Sequence, residues 1–137
     1  MSHYNSVKTA IRDQDLLVSS LQALGFKPQV HEVAQSLEGF QGDKRAETAQ
    51  VIIPRRQVGG ASNDIGFKRQ EDGSFAAIIS DYDRHRYGDK WLAKLKTEYG
   101  VARVTRLAKR QYGCANPVVK EIKTPTGTKK VVKFTLN

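Results

Sequence analysis

Apolar and polar positions near the start of the chain predict a strand followed by a helix. Residues 3–11 mix polar and β-forming side chains, which is typical of a strand. Asp13 is placed to cap a helix, and Asp15 adds negative charge to its first turn, where the helix dipole favours it. The apolar residues that then recur at helical spacing are Leu16, Leu17, Leu21 and Leu24. Gly25, followed by Pro28, ends the predicted helix.

The middle of the chain predicts a meander of about four strands. Apolar or alternating runs predict strands at residues 30–34, 48–53, 65–69 and 75–80. Residues 35–46 and 57–63 contain pairs of glycines and are predicted to be loops. The strongest turn signal is Asp72-Gly73 between the last two strands, because this dipeptide is favoured in tight hairpins.

The last third of the chain predicts one or two helices and a second hairpin. Asp89 is predicted to cap a helix whose buried face carries Trp91, Leu92, Leu95 and Tyr99. Gly100 interrupts this period, which resumes to Tyr112 and is closed by Gly113. Residues 118–123 and 130–136 alternate around a turn at 124–128. The order of elements predicts a single α+β domain over residues 1–137, with two or three helices packed on one face of a mainly antiparallel sheet.

Composition narrows the class of protein. A chain of 137 residues suits one compact domain, and the single Cys114 excludes an intramolecular disulfide framework and a multi-cysteine metal site. No apolar run approaches the ~18 residues of a membrane span, and the polar start lacks the apolar core of a signal peptide. These features predict a protein without a membrane span in a reducing, cytoplasmic compartment. No glycine pattern fits a nucleotide-binding motif, and no cofactor is predicted.

Positive charge is confined to the end of the chain. Residues 1–83 hold 9 Lys+Arg and 11 Asp+Glu, a net of −2, whereas residues 84–137 hold 14 Lys+Arg and 3 Asp+Glu, a net of +11. A segregated excess of this size indicates a binding surface for a polyanion or an acidic protein. The alternative is that the lysines only keep exposed faces in solution.

An arginine stripe is the most specific part of this basic segment. Arg103, Arg106 and Arg110 fall at i, i+3 and i+7 on one helical face, opposite Val101, Val104 and Ala108, with Lys109 at the border. Guanidinium groups bind phosphates bidentately, and no acidic residue lies between Tyr99 and Lys120. The cations that extend the predicted surface are Arg84, Arg86, Lys129 and Lys130, with Arg55 and Arg56 as further candidates. Tyr82, Tyr87 and Tyr112 are candidate platforms for stacking on unpaired bases.

Three other groups have possible chemistry. Asp81, Asp83 and His85 alternate, so on an extended segment they share one face and are candidates for a metal site or an acid–base pair. The cations between them equally indicate a solvated, ion-paired turn. His3 and His31 would meet if their strands pair, but no third ligand is evident. Cys114 has no histidine nearby to act as its base and is interpreted as structural or incidental.

Seven short segments of the chain form a recognisable set: MSHY (1–4), VKTAI (7–11), DLL (15–17), LQALG (21–25), GFQG (39–42), AQVII (49–53) and DIGF (64–67). Together they resemble a small family known from cyanobacteria and algal plastid genomes, where it is described as a conserved hypothetical chloroplast reading frame. This chain departs from the family pattern after Asp81, where YDRHRY replaces an expected tryptophan-rich turn. The resemblance implies a cytoplasmic or stromal protein of photosynthetic lineages and implies no established activity.

The sequence therefore supports three functional hypotheses. The leading one is a non-enzymatic binding module whose cationic face contacts RNA or a ribonucleoprotein. The second is an accessory or adaptor subunit that docks an acidic protein, for example in assembly of a photosynthetic complex or in an ATPase machine. The third is a small metal-dependent hydrolase that uses Asp81, Asp83 and His85.

Overall fold

A computed structural model of the chain describes residues 3–113 and 118–133. Within these residues the elements are β1 (Tyr4–Lys8), α1 (Gln14–Ala23), β2 (Gln29–Glu38), β3 (Lys44–Ile53), α2 (Arg55–Val58), β4 (Ile65–Arg69), β5 (Phe75–Ser80), α3 (Asp89–Tyr112), β6 (Val118–Thr124) and β7 (Gly127–Lys133). Five strands form one antiparallel sheet in the order β1-β5-β4-β3-β2, and β6 and β7 form a separate antiparallel hairpin. The predicted α+β class is confirmed.

The helices pack on one face of the five-stranded sheet, as predicted. This core joins Leu17 and Leu21 of α1, Val58 of α2 and Leu95 of α3 to the sheet. The sheet residues beneath them include Val51, Ile53, Ile65, Phe67, Phe75, Ala77 and Ile79. Trp91 lies among aromatic rings, with its centroid 5.9 Å from that of Phe26 and 5.2 Å from that of Tyr87.

Turn and capping residues in the sequence correctly predicted several boundaries of strands and helices. β4 and β5 have the predicted bounds, with Gly73 at a φ of 86° in the turn between them. Asp13 caps α1, because its Oδ1 accepts a hydrogen bond of 3.0 Å from the backbone N–H of Leu16. Gly113 closes α3 in the left-handed conformation, with a φ of 62°.

The prediction of a loop over residues 35–46 was wrong. β2 continues to Glu38 and β3 starts at Lys44, so only a tight turn separates them. In that turn the N–H of Gly39 donates to the carbonyl of Asp43 at 2.8 Å, and Gly42 has a φ of 82°. Gly39 and Gly42, which the sequence indicated as loop residues, therefore belong to the turn of a long hairpin.

The tip of the β2–β3 hairpin covers part of the second face of the sheet. Leu37 is fully buried there in a small cluster with Ala49, Ile52, Ala76 and Ile78. Asp64 holds the hairpin in place, since its carboxylate accepts from the backbone N–H groups of Glu38 at 2.8 Å and Arg55 at 2.7 Å. Burial raises the pKa of Asp64 despite these two bonds.

α3 is one unbroken helix of 24 residues that runs through Gly100, so the predicted interruption does not occur. Gly88, not Asp89, occupies the N-cap position. The β6–β7 hairpin packs beside α3 through β7, whose described part begins at Gly127 rather than at residue 130. Among the residues that the structure describes, no helix is long and apolar enough to cross a membrane.

Candidate docking surface

The C-terminal half of α3 has three sides. One side meets the start of α1, and another faces β7. Between them lies an exposed band that we call the α3 strip. Its exposed members are Lys96, Arg103, Val104, Leu107 and Arg110, and the half-buried Gly100 lies among them. Successive members are three or four residues apart in sequence, except for the adjacent pair Arg103 and Val104. Val104 is 42% exposed and Leu107 is 50% exposed, so the strip is both cationic and apolar.

Arg106, predicted to bind a partner, instead joins α3 to α1. Its Nη2 lies 2.6 Å from Oδ2 of Asp13, and the hydroxyl of Tyr99 accepts from the N–H of Asp13 at 3.1 Å. The hydrogen bond from Arg106, followed by that from the Leu16 N–H, lowers the pKa of Asp13 below its ordinary value. The partner of Arg106 is 93 residues away in sequence, so helical spacing alone gave no sign of it.

The Asp13 cap gives a first testable prediction. Replacing Asp13 with alanine is expected to lower the free energy of unfolding by about 1 kcal/mol, because the N–H of Leu16 loses its partner. The folded-state pKa of Asp13 is lowered, so its stabilisation is complete at neutral pH and is lost as the pH falls through that pKa. Urea titrations followed by Trp91 fluorescence should show the difference at about pH 7 and a progressively smaller difference as the solution is acidified below the ordinary pKa of an aspartate. Equal destabilisation by Asp15→Ala would contradict the assignment.

A groove separates α3 from β7. It has a volume of about 400 Å³, and its apolar lining comes from Val101, Val104 and Val132. Lys96 and Lys129 lie along its margins. Lys130 also lines the groove, but it forms an ion pair with Glu98 that joins the hairpin to α3.

Lys109 is exposed beside Arg110. Other predicted binding residues lie at the opposite end of α3. Arg84, Arg86 and Tyr82 precede the helix, whereas Arg103 and Arg110 follow its start by about 21 and 32 Å along the axis. Tyr87 is buried and donates from its hydroxyl to the carbonyl of Val58 at 2.8 Å, so its ring is not available for base stacking. That bond also places α2, with Arg55 and Arg56, at this end, where they do not extend the α3 strip.

Asp81, Asp83 and His85 do not form one site. Asp83 is buried, and its Oδ2 accepts from the N–H of Asn63 at 3.1 Å and from the hydroxyl of Ser80 at 2.9 Å. Asp81 and His85 are exposed. Within residues 3–113 and 118–133, no three His, Cys, Asp or Glu side chains are grouped to hold a metal ion.

The structure tests the predicted meeting of the two histidines but not the interpretation of the cysteine. His3 and His31 are not brought together, because β1 and β2 form opposite edges of the sheet, roughly 19 Å apart across four strand spacings. Cys114 lies outside the described residues.

Charge and exposed apolar side chains coincide on α3 and the hairpin. Residues 89–113 and 118–133 carry 12 Lys+Arg and 3 Asp+Glu. Exposed apolar side chains on the same elements are Val104, Leu107, Val119 and Ile122. Helical spacing placed Val104 opposite the arginine stripe, but it does not reveal that the two-stranded hairpin covers only part of the apolar side of α3.

These features define a small α+β protein with a basic surface that also exposes apolar side chains. A family model described as "Protein of unknown function (DUF1257)" matches residues 20–132, so the chain belongs to that family. The membership confirms that the chain comes from an uncharacterised family, as the resemblance implied. No curated protein and no solved structure matches the chain significantly.

Proposed function

We propose that the protein is a non-enzymatic binding module that docks an acidic partner protein on the α3 strip and the adjoining side of β7. The observation that carries the proposal is the placement of half-exposed Val104 and Leu107 between the cations Arg103 and Arg110. An acidic protein surface would cover both kinds of side chain, whereas phosphate contacts alone would leave the apolar ones in water. Interfaces commonly combine an apolar centre with a polar rim.

The same placement argues for a protein rather than RNA. Recognition of single-stranded RNA uses aromatic rings on which bases stack. Of the candidate platforms whose side chains the structure describes, Tyr87 is buried, and Tyr82 lies at the far end of α3 from Arg103. Arg106, the centre of the predicted phosphate-binding stripe, is taken up by Asp13. RNA binding is therefore the outcome that the experiment below must separate from protein binding.

The resemblance to the cyanobacterial and algal-plastid family supports a setting for this function. We propose a cytoplasmic or stromal accessory subunit in photosynthetic lineages, acting in the assembly or regulation of a larger complex. Because the partner surface is acidic, electrostatic attraction is expected to raise the association rate and to make it depend on ionic strength.

The proposal is tested by isolating tagged protein and its partners from its own lysate, with and without nuclease. The test variant combines Lys96→Glu, Arg103→Glu and Arg110→Glu, all at exposed positions of the α3 strip. The control combines Lys8→Glu, Lys27→Glu and Lys44→Glu, which makes the same charge change at exposed positions elsewhere.

We expect a protein partner to remain at fixed stoichiometry after nuclease treatment with the natural chain and with the control. The α3 variant should retain less than about a tenth of it, because three cations of the contact are reversed. Loss of all partners on nuclease digestion would identify RNA binding instead. Equal losses with both variants would show that only net charge matters and would refute the assigned surface.

A further inference from the structure

We infer that the acidic segment bound at this surface is an amphipathic α-helix that lies along α3 in the groove beside β7. The inference rests on the proposed function and adds the shape and chemistry of the segment that binds. Three observations support the inference: the length of the groove, its apolar lining and the cations that line it.

The length of the groove fits about two turns of helix. It follows α3 from Lys96 to Val104, eight residues or about 12 Å, and two turns of an opposing helix span about 11 Å. Leu107 extends the apolar row by one further turn. A helix with apolar residues at i, i+3 or i+4 and i+7 places one anchor per turn along such a row.

The lining of the groove suits a helix packed against a helix. Val101, Val104 and Leu107 form a row at intervals of three residues, which is one of the ridges by which helices pack together. Gly100 has no side chain, so the α3 wall of the groove is recessed at that position. A Cβ built there would meet no atom within 4 Å. The backbone groups of α3 on this wall are bonded within the helix, so an occupant gains most if its own backbone groups are satisfied internally.

The margins of the groove determine the charge of the occupant. Lys96 lines the groove on the α3 side and Lys129 on the β7 side. The ammonium group of Lys130 is already paired with Glu98. Carboxylates flanking the apolar stripe of the incoming helix would therefore meet cations on both sides, and a basic helix would be repelled.

The test uses two synthetic peptides of about 18 residues, long enough to form a helix. One carries leucines at i, i+3, i+4 and i+7 among glutamates and alanines, and the other has the same composition in scrambled order. Affinities for the full chain are measured by fluorescence anisotropy of the labelled peptides. The amphipathic peptide should bind at least about tenfold more tightly than the scrambled one, because only it presents an apolar face.

A variant that combines Val104→Thr and Leu107→Gln keeps the charge and changes two exposed positions, so its fold should be retained. It should bind the amphipathic peptide at least about tenfold more weakly, and its affinity for the scrambled peptide should not change. The control is Val33→Thr, at a valine on β2 that is 72% exposed. It should leave both affinities unchanged.

Outcomes of this test separate the inference from the proposed function. If the charge-reversal variant loses the partner, but the natural chain binds both peptides equally or the Val104 and Leu107 variant binds the amphipathic peptide as tightly as the natural chain does, the proposed function stands and the helix inference is overturned. A chain ended after Lys133 that binds the amphipathic peptide more than about tenfold more tightly would show that the chain's own residues 134–137 occupy the groove. Sedimentation as a dimer that dissociates in the Val104 and Leu107 variant would show a second copy in the groove. Either result would also overturn the inference.

Discussion

Replacing Asp83 with alanine is expected to lower the free energy of unfolding by about 3 kcal/mol. The side chain is buried, and the backbone N–H of Asn63 and the hydroxyl of Ser80 both donate to its Oδ2. Alanine leaves both donors buried without this acceptor, which costs more than the hydrogen bonds themselves contribute. Urea titrations followed by the fluorescence of Trp91 measure the change.

The exposed neighbour Asp81 is the matched control for this substitution. Asp81→Ala should change the free energy of unfolding by no more than about 0.5 kcal/mol, because the carboxylate is in solvent and bonds only to the Asn5 side chain among the described residues. The pair also tests the hydrolase hypothesis. A rise in the melting temperature of the natural chain with Mn²⁺ or Zn²⁺, absent in both variants, would contradict a structural role for Asp83 and restore a metal site.

The same substitution, glycine to alanine, is expected to have opposite effects at Gly66 and Gly100. At Gly66 a Cβ would lie 2.7 Å from Cβ of Ala49 and 2.9 Å from Cδ2 of Leu37. Since Ala49 has no rotamer into which to move, the strand or the β2–β3 hairpin must shift. The expected loss in the free energy of unfolding is about 2 kcal/mol.

At Gly100 a Cβ would meet no atom within 4 Å, and the residue lies inside a long helix. Alanine there should raise the free energy of unfolding by about 0.8 kcal/mol, because glycine loses more backbone entropy in a helix. Both variants are compared with the natural chain by urea titration. A stabilised Gly66→Ala variant would show that the hairpin does not press on the second face of the sheet as described.

Where the sequence predicted the fold correctly, the deciding signals were local. Asp72-Gly73 predicted the hairpin between β4 and β5, and Asp13 predicted the start of α1. Predictions of secondary structure were wrong where contacts between residues distant in sequence determine the conformation. Gly100 suggested a break, but a single glycine costs a helix only about 1 kcal/mol, which packing on both sides of α3 exceeds.

The candidate surface was predicted in part. Helical spacing placed Arg103 and Arg110 on one exposed face, and in the structure Lys129 lines the groove beside α3. Spacing did not show that Asp13 engages Arg106, because the two residues meet only in the folded chain. It also did not show that Val104 and Leu107 are half exposed, since that depends on how much of α3 the hairpin covers.

The division of the strands into two sheets has a consequence for binding. Among the residues that the structure describes, β6 and β7 pair only with each other, and the hairpin rests on α3 through β7 and the Lys130–Glu98 ion pair. One wall of the groove is therefore part of the main core, and the other belongs to a separate two-stranded sheet, which we expect to open locally without unfolding of the main sheet. A ligand that bridges both walls selects the closed arrangement, so its measured affinity includes the free energy of closing the hairpin. We expect the amide hydrogens of β6 and β7 to exchange faster than those of β4 and β5, and to slow when the groove is filled.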